Sequence, residues 1–76
     1  MEPKEKALEL YNYYEQLGRD FTRGVSMKEF AKLCALKAVD EMISYFQKET
    51  FMMAYPEIAI SEVTYWQEVK QEIEAL

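Results

Sequence analysis

Residues 26–48, SMKEFAKLCALKAVDEMISYFQK, decide the fold. Ser26 and Glu29 have the spacing of a capping box. The serine hydroxyl can accept from the N–H of residue 29, and the Glu29 carboxylate can accept from the N–H of residue 26. Val25 and Phe30 fit the hydrophobic staple that accompanies such a start. At 100° per residue the apolar side holds Met27, Ala31, Cys34, Ala35, Leu36, Ala38, Val39, Met42, Ile43, Tyr45 and Phe46. That arc covers about half of the circumference, which suits a helix packed against more than one neighbour. Lys37, Asp40, Glu41, Ser44, Gln47 and Lys48 fill the polar side. Ala31, Ala35 and Ala38 are small enough for another helix to approach closely.

Two further helices flank this one. The first is expected over residues 3–17, with Pro3 at a position where its missing N–H costs nothing. Ala7, Leu10, Tyr14 and Leu17 share a face, Tyr11 and Tyr13 flank it, and Leu8 points away. Gly18 is a natural stop, suited to a left-handed C′ position. Residues 18–25, GRDFTRGV, form a connection with Phe21 as a buried candidate. The third helix is expected over residues 61–75, with Ser61 or Pro56 at its start. Val63, Trp66, Val69, Ile73 and Leu76 form its stripe, with Tyr65 at the edge. Glu72, Glu74 and the terminal carboxylate crowd the negative end of its dipole. That end either frays or meets a basic group from elsewhere.

No sustained alternation and no Asn-Gly or Asp-Gly turn signals a strand. The expected fold is all-α: one domain, 1–76, built as a compact three-helix bundle over about 3–17, 26–48 and 61–75. The short first connection makes the first pair antiparallel.

Seventy-six residues bury only roughly 60% of the unfolded surface, so the core is thin. Small domains compensate with disulfides, a metal or a second copy. Cys34 is the single cysteine and there is no histidine, so neither an internal disulfide nor a structural zinc site can be assembled. No cofactor is expected. Helix packing and dimerisation remain as ways to complete the bundle. The apolar half of the composition argues against disorder.

The net charge of −5 disfavours phosphate backbones and anionic membranes. Only Arg19, Arg23 and Lys28 approach a basic cluster. The N-terminal MEPKEKAL carries no secretory leader pattern, and no apolar run approaches the roughly 20 residues that cross a bilayer. A cytoplasmic protein with a free thiol is the expectation.

One stretch breaks the polar character of the connections: residues 50–60, TFMMAYPEIAI. Pro56 biases Tyr55 away from the α conformation. Thr50 to Tyr55 is expected to continue or unwind the second helix, with Ile58 and Ile60 leading into the third. Two accounts follow. The run folds back as a lid over the core, because loops seldom stay apolar unless covered. Alternatively Phe51, Met52, Met53 and Tyr55, with Trp66, meet another chain, since methionine suits adaptable surfaces and tyrosine and tryptophan are enriched at interfaces.

The remaining chemistry is sparse. Cys34 has no histidine to activate it and lies mid-helix on the apolar face, as a structural cysteine would. Fourteen acidic residues produce pairs by chance, such as Asp40 with Glu41 and Glu68 with Glu72. A glycosidase-type pair must flank a cleft, and this chain has little room for one. VSMKEFAKLCALKA resembles the first helix of a helix-turn-helix. That motif needs a turn of about three to four residues and a second helix, yet the pattern here runs on through Val39, Met42 and Ile43. No nucleophile–base pair, metal cluster or phosphate loop can be built, so an enzyme is not expected.

Residues 34–43, CALKAVDEMI, and 65–76, YWQEVKQEIEAL, together with the opening KEKALEL, resemble a group of small uncharacterised proteins of Bacteroides-type gut bacteria and their phages. The resemblance covers about half of the chain and departs in the apolar linker. It implies an origin in a commensal genome or its mobile elements and carries no activity. The functional expectation is a non-enzymatic protein–protein interaction module that self-associates. The alternative is a phage- or mobile-element-derived, nucleic-acid-associated regulator.

Overall fold

The computed structural model describes residues 1–21 and 27–76, and its described residues contain helices and no strand. Four helices follow one another: α1 (Pro3–Phe21), α2 (Met27–Phe46), α3 (Glu49–Ala54) and α4 (Pro56–Glu74). The all-α class stands, while the count of three is corrected to three long helices and one short one. Ser26, Val25 and Arg23 lie outside the described residues, as do the side chains of Arg19, Phe21 and Met27, so the capping box and the buried role of Phe21 do too.

α1 does not stop at Leu17. It continues through Gly18 to Phe21. Gly18 is buried, as is Ala7, so its missing side chain serves close packing instead of chain reversal. The expected stripe is also rotated: Leu17 is exposed while Leu10, Tyr11 and Tyr14 are half-buried. Leu8 is exposed, as expected. Partial burial and the adjacent Glu15, which hydrogen-bonds it, push the Tyr11 hydroxyl above its ordinary pKa.

α2 buries Ala31, Ala35 and Val39 completely. Alanine at two of these positions gives neighbouring helices the close approach that its small side chain permits. The core joins Ala7 of α1, Ala35 and Val39 of α2, and Val69 and Ile73 of α4. Leu10, Tyr14, Leu36, Ile43, Tyr65 and Trp66 pack around it. Trp66, Val69 and Ile73 of the stripe expected on the last helix, with Tyr65 at its edge, are therefore in or against this core.

Two polar contacts set the direction of α4 against α2. Asp40 pairs with Lys70 at 3.0 Å, and Lys32 Nζ donates to the Glu74 carbonyl at 2.8 Å. Stepping back along α2 steps forward along α4, so the two are antiparallel. The Asp40 carboxylate, by accepting from the Lys70 ammonium and by its charge, raises the Lys70 pKa. Lys32 is the basic group that the acidic end of the last helix required. α1 is antiparallel to α2 as well: Lys6 and Leu10 border one groove with Met42 and Tyr45, whereas Tyr14 borders a hollow with Phe30 and Leu33.

α2 ends at Phe46, short of the expected Lys48. Its last turn tightens, with the Gln47 N–H reaching both Ile43 and Ser44 and the Lys48 N–H reaching Tyr45. Lys48 is extended (φ −61°, ψ 137°), and α3 begins after it as a separate helix. In an unbroken helix Phe46 and Phe51 would lie about 140° apart around the axis. The break brings their rings to 5.1 Å, edge to face.

α4 begins at Pro56, five residues before Ser61. Proline at N1 is preorganised for a helix start, and it holds Tyr55 at φ −138°, ψ 65°, outside the α region. Ile58 and Ile60 are thus helical residues. Between them only Ala59 is buried. The first turns of α4, with α3, extend beyond the shared core, and the molecule measures 45 × 22 × 15 Å. A helix of this length spans about 28 Å, so the long helices are staggered.

Candidate protein-interaction surface

The overhanging end is built from the last turn of α2, α3 and the start of α4. An aromatic cluster organises it. Phe51 lies 5.6 Å from Tyr45, 5.1 Å from Phe46 and 5.6 Å from Tyr55, between ring centroids. Tyr45 and Phe46 meet edge to face at 5.3 Å. Pairs of this geometry contribute about 0.5–1.5 kcal/mol each beyond area burial. The Lys48 ammonium stands 5.6 Å from the centre of the Tyr45 ring, within cation–π range. This cluster, not the core, anchors α3. No residue of α3 is itself buried.

The residues expected to meet another chain fall into two places. Phe51, Met52, Met53 and Tyr55 come together on and just after α3. Phe51 is the half-buried hub, Met53 is 76% exposed, and Met52 and Tyr55 are also exposed. Trp66 is elsewhere. It packs against the core, meets Tyr65 at 5.3 Å, and donates its indole N–H to a Glu62 carboxylate oxygen at 3.2 Å. Its outer edge lines an open groove with Leu10, Val39, Met42 and Tyr45, of about 570 Å³, with Lys6 and Glu41 at the rim.

Other residues complete the surface that the sequence did not single out. Met42 and Tyr45 sit on the apolar arc of α2, and Ile58 and Ile60 in what reads as linker, yet all four are exposed. The proline at 56 is the signal that places Ile58 and Ile60 on a helix. No comparable signal marks Met42 and Tyr45, because the stagger that uncovers them is a property of the packed helices. Among the described residues, seven of the twelve exposed large apolar ones lie from Met42 to Ile60. This concentration separates the end of the bundle from ordinary scattered exposure.

The other candidates resolve into simpler roles. Cys34 is half-buried and edges a shallow hollow with Tyr14, Phe30, Leu33 and Ala38. Asp40 and Glu41 are exposed, with Asp40 paired to Lys70. Glu68 and Glu72 edge an open polar hollow with Glu2, Lys4 and Gln71. Among the described residues no three acidic or cysteine side chains are grouped to hold a metal ion. No described helix is long and apolar enough to cross a membrane. What the surface can do chemically is bury apolar area against a partner. Comparison with known protein families, curated proteins and solved structures finds no match to this chain.

Proposed function

We propose that this protein is a small cytoplasmic, non-enzymatic protein–protein interaction module that associates with itself through the apolar end formed by α2, α3 and α4. One observation carries this: Met42, Tyr45, Met52, Met53, Tyr55, Ile58 and Ile60 are all exposed within the span 42–60 of the chain. A concentration of exposed apolar side chains marks contact surfaces. The thin core supports the same view, since a second copy is one way for a small domain to gain buried area. The resemblance of residues 34–43 and 65–76 suggests an origin in a commensal genome or a mobile element, and it adds no activity.

The nucleic-acid alternative has less support. The chain carries a net charge of −5, and the exposed lysines of α2, Lys28 and Lys37, share that helix with the exposed acids Glu29, Asp40 and Glu41. Multi-angle light scattering over a concentration series tests self-association. A mass twice the 9.0 kDa of the chain is expected, and a strict monomer at the highest attainable concentration removes it.

A further inference from the structure

We infer that the partner is a second copy bound about a two-fold axis, the Met52–Met53 edge of α3 in each copy seated in the groove of the other between Leu10, Met42 and Trp66. This rests on the reading that the apolar end is a contact surface, and it specifies how that surface is used.

Four observations carry the pairing. First, one chain holds both a projection and a hollow. Met53 is 76% exposed at the tip of α3, and the groove of about 570 Å³ is floored by the fully buried Val39. Methionine adapts its shape to irregular apolar hollows. Second, the two features adjoin. Tyr45 belongs to the aromatic cluster that holds α3 and also lines the groove. A projection and hollow on opposite faces would propagate into a filament; adjoining ones can close in a two-fold pair in which each contact is made twice.

Third, the shape leaves surface to bury. The molecule exposes 5509 Å², where a compact monomer of 9.0 kDa exposes about 4850 Å², in keeping with its elongated form of 45 × 22 × 15 Å. Fourth, the charges match. Lys6 and Glu41 edge the groove, and Lys48 and Glu49 lead into α3. The two-fold pairing sets Lys48 against the partner's Glu41 and Glu49 against the partner's Lys6. Lys6 also pairs with Glu9 in its own chain at 3.0 Å, through an exposed bridge that can share the ammonium. Lys48, Glu49 and Glu57 are the only charges from Met42 to Ile60 and leave a net −1 there, so little of the chain's −5 opposes contact.

Charge exchange tests the pairing. In Glu41→Lys the dimer would set lysine against Lys48 twice; in Lys48→Glu it would set glutamate against Glu41 twice. Both residues are exposed, and circular dichroism checks that each variant keeps its helicity. Each variant alone should dissociate roughly tenfold more readily than the wild type, as two reversed surface pairs would predict. An equimolar mixture of the two variants restores both pairs in the mixed dimer, and native mass spectrometry should show that species in excess over either parent. If each variant weakens the dimer and mixing restores nothing, the proposed register is overturned. If neither reversal moves the equilibrium but Met53→Lys abolishes the dimer, the contact surface stands and the projection-in-groove pairing falls. If none of the three substitutions has an effect, or the wild type is monomeric, the pairing and the self-association reading fall together.

Discussion

Lys32 on α2 donates its ammonium to the Glu74 carbonyl at the end of α4, 2.8 Å away, across 42 residues of sequence. This contact closes a helix end that has no basic residue in its own last turn. Lys32→Met keeps the aliphatic stem and removes the donor. The expected loss is about 0.5–1 kcal/mol, the value of one hydrogen bond helped by the dipole. Amide exchange at Ala75 and Leu76, whose N–H groups bond to Gln71 and Ile73, should accelerate in the variant. Unchanged exchange would mean that the last turn holds without Lys32.

The core is small enough for one residue to matter. Ile73 is fully buried with Val39 and Val69 against Ala7 and Ala35. Ile73→Ala should cost about 2–5 kcal/mol through lost burial and the cavity left behind. A domain of this length has roughly 4–11 kcal/mol in total, so urea denaturation should find the variant partly or wholly unfolded. Ala35→Leu tests the opposite limit. Overpacking a position that two helices approach should cost about 1–3 kcal/mol.

Substituting both exposed methionines separates a lid from a contact surface. No residue of α3 is buried. The double variant Met52→Lys, Met53→Lys should therefore stay folded as a monomer, with its stability within about 0.5 kcal/mol of the wild-type monomer. Thermal unfolding followed at high dilution makes the comparison. A collapse in stability there would show that α3 protects the core after all.

Alkaline pH should destabilise the fold through two groups. Asp40 raises the Lys70 pKa above its ordinary 10.5, and partial burial with Glu15 raises the Tyr11 pKa above its ordinary 10.0. In both cases the folded state holds the proton more tightly than the unfolded state. The contribution is complete below the unfolded pKa and disappears as pH rises through the folded value. Chemical denaturation at rising pH should show stability falling above about pH 10. Asp40→Asn should remove the Lys70 share and Tyr11→Phe the Tyr11 share, each flattening the profile. A profile unchanged in both variants would assign the fall to other groups.

The sequence by itself determined the helical class and much of the packing. Apolar residues at helical spacing can be buried only on one side of a helix, so Ala31, Ala35 and Val39, and Val69 and Ile73, were legible as core. The alanines were legible as points of close approach for the same reason. The crowded acidic end of α4 was legible as needing a cation, because the dipole rule is local; which cation was not, because Lys32 reaches it only through the antiparallel pairing of α2 and α4. The helix limits failed where tertiary contact overrode a local signal. Gly18 reads as a stop, yet it is buried and α1 runs on through it; Thr50 to Tyr55 reads as continuing or unwinding the second helix, yet a separate helix follows a break at Lys48, and the contact of Phe51 with Phe46 depends on that break. The candidate surface was legible in part. Phe51, Met52, Met53 and Tyr55 stand out as apolar residues in a connection, but Trp66 belongs to the groove, and Met42, Tyr45, Ile58 and Ile60 look like core or linker. Periodicity states which face of a helix is apolar. Only the stagger of the packed helices decides how much of that face is left uncovered.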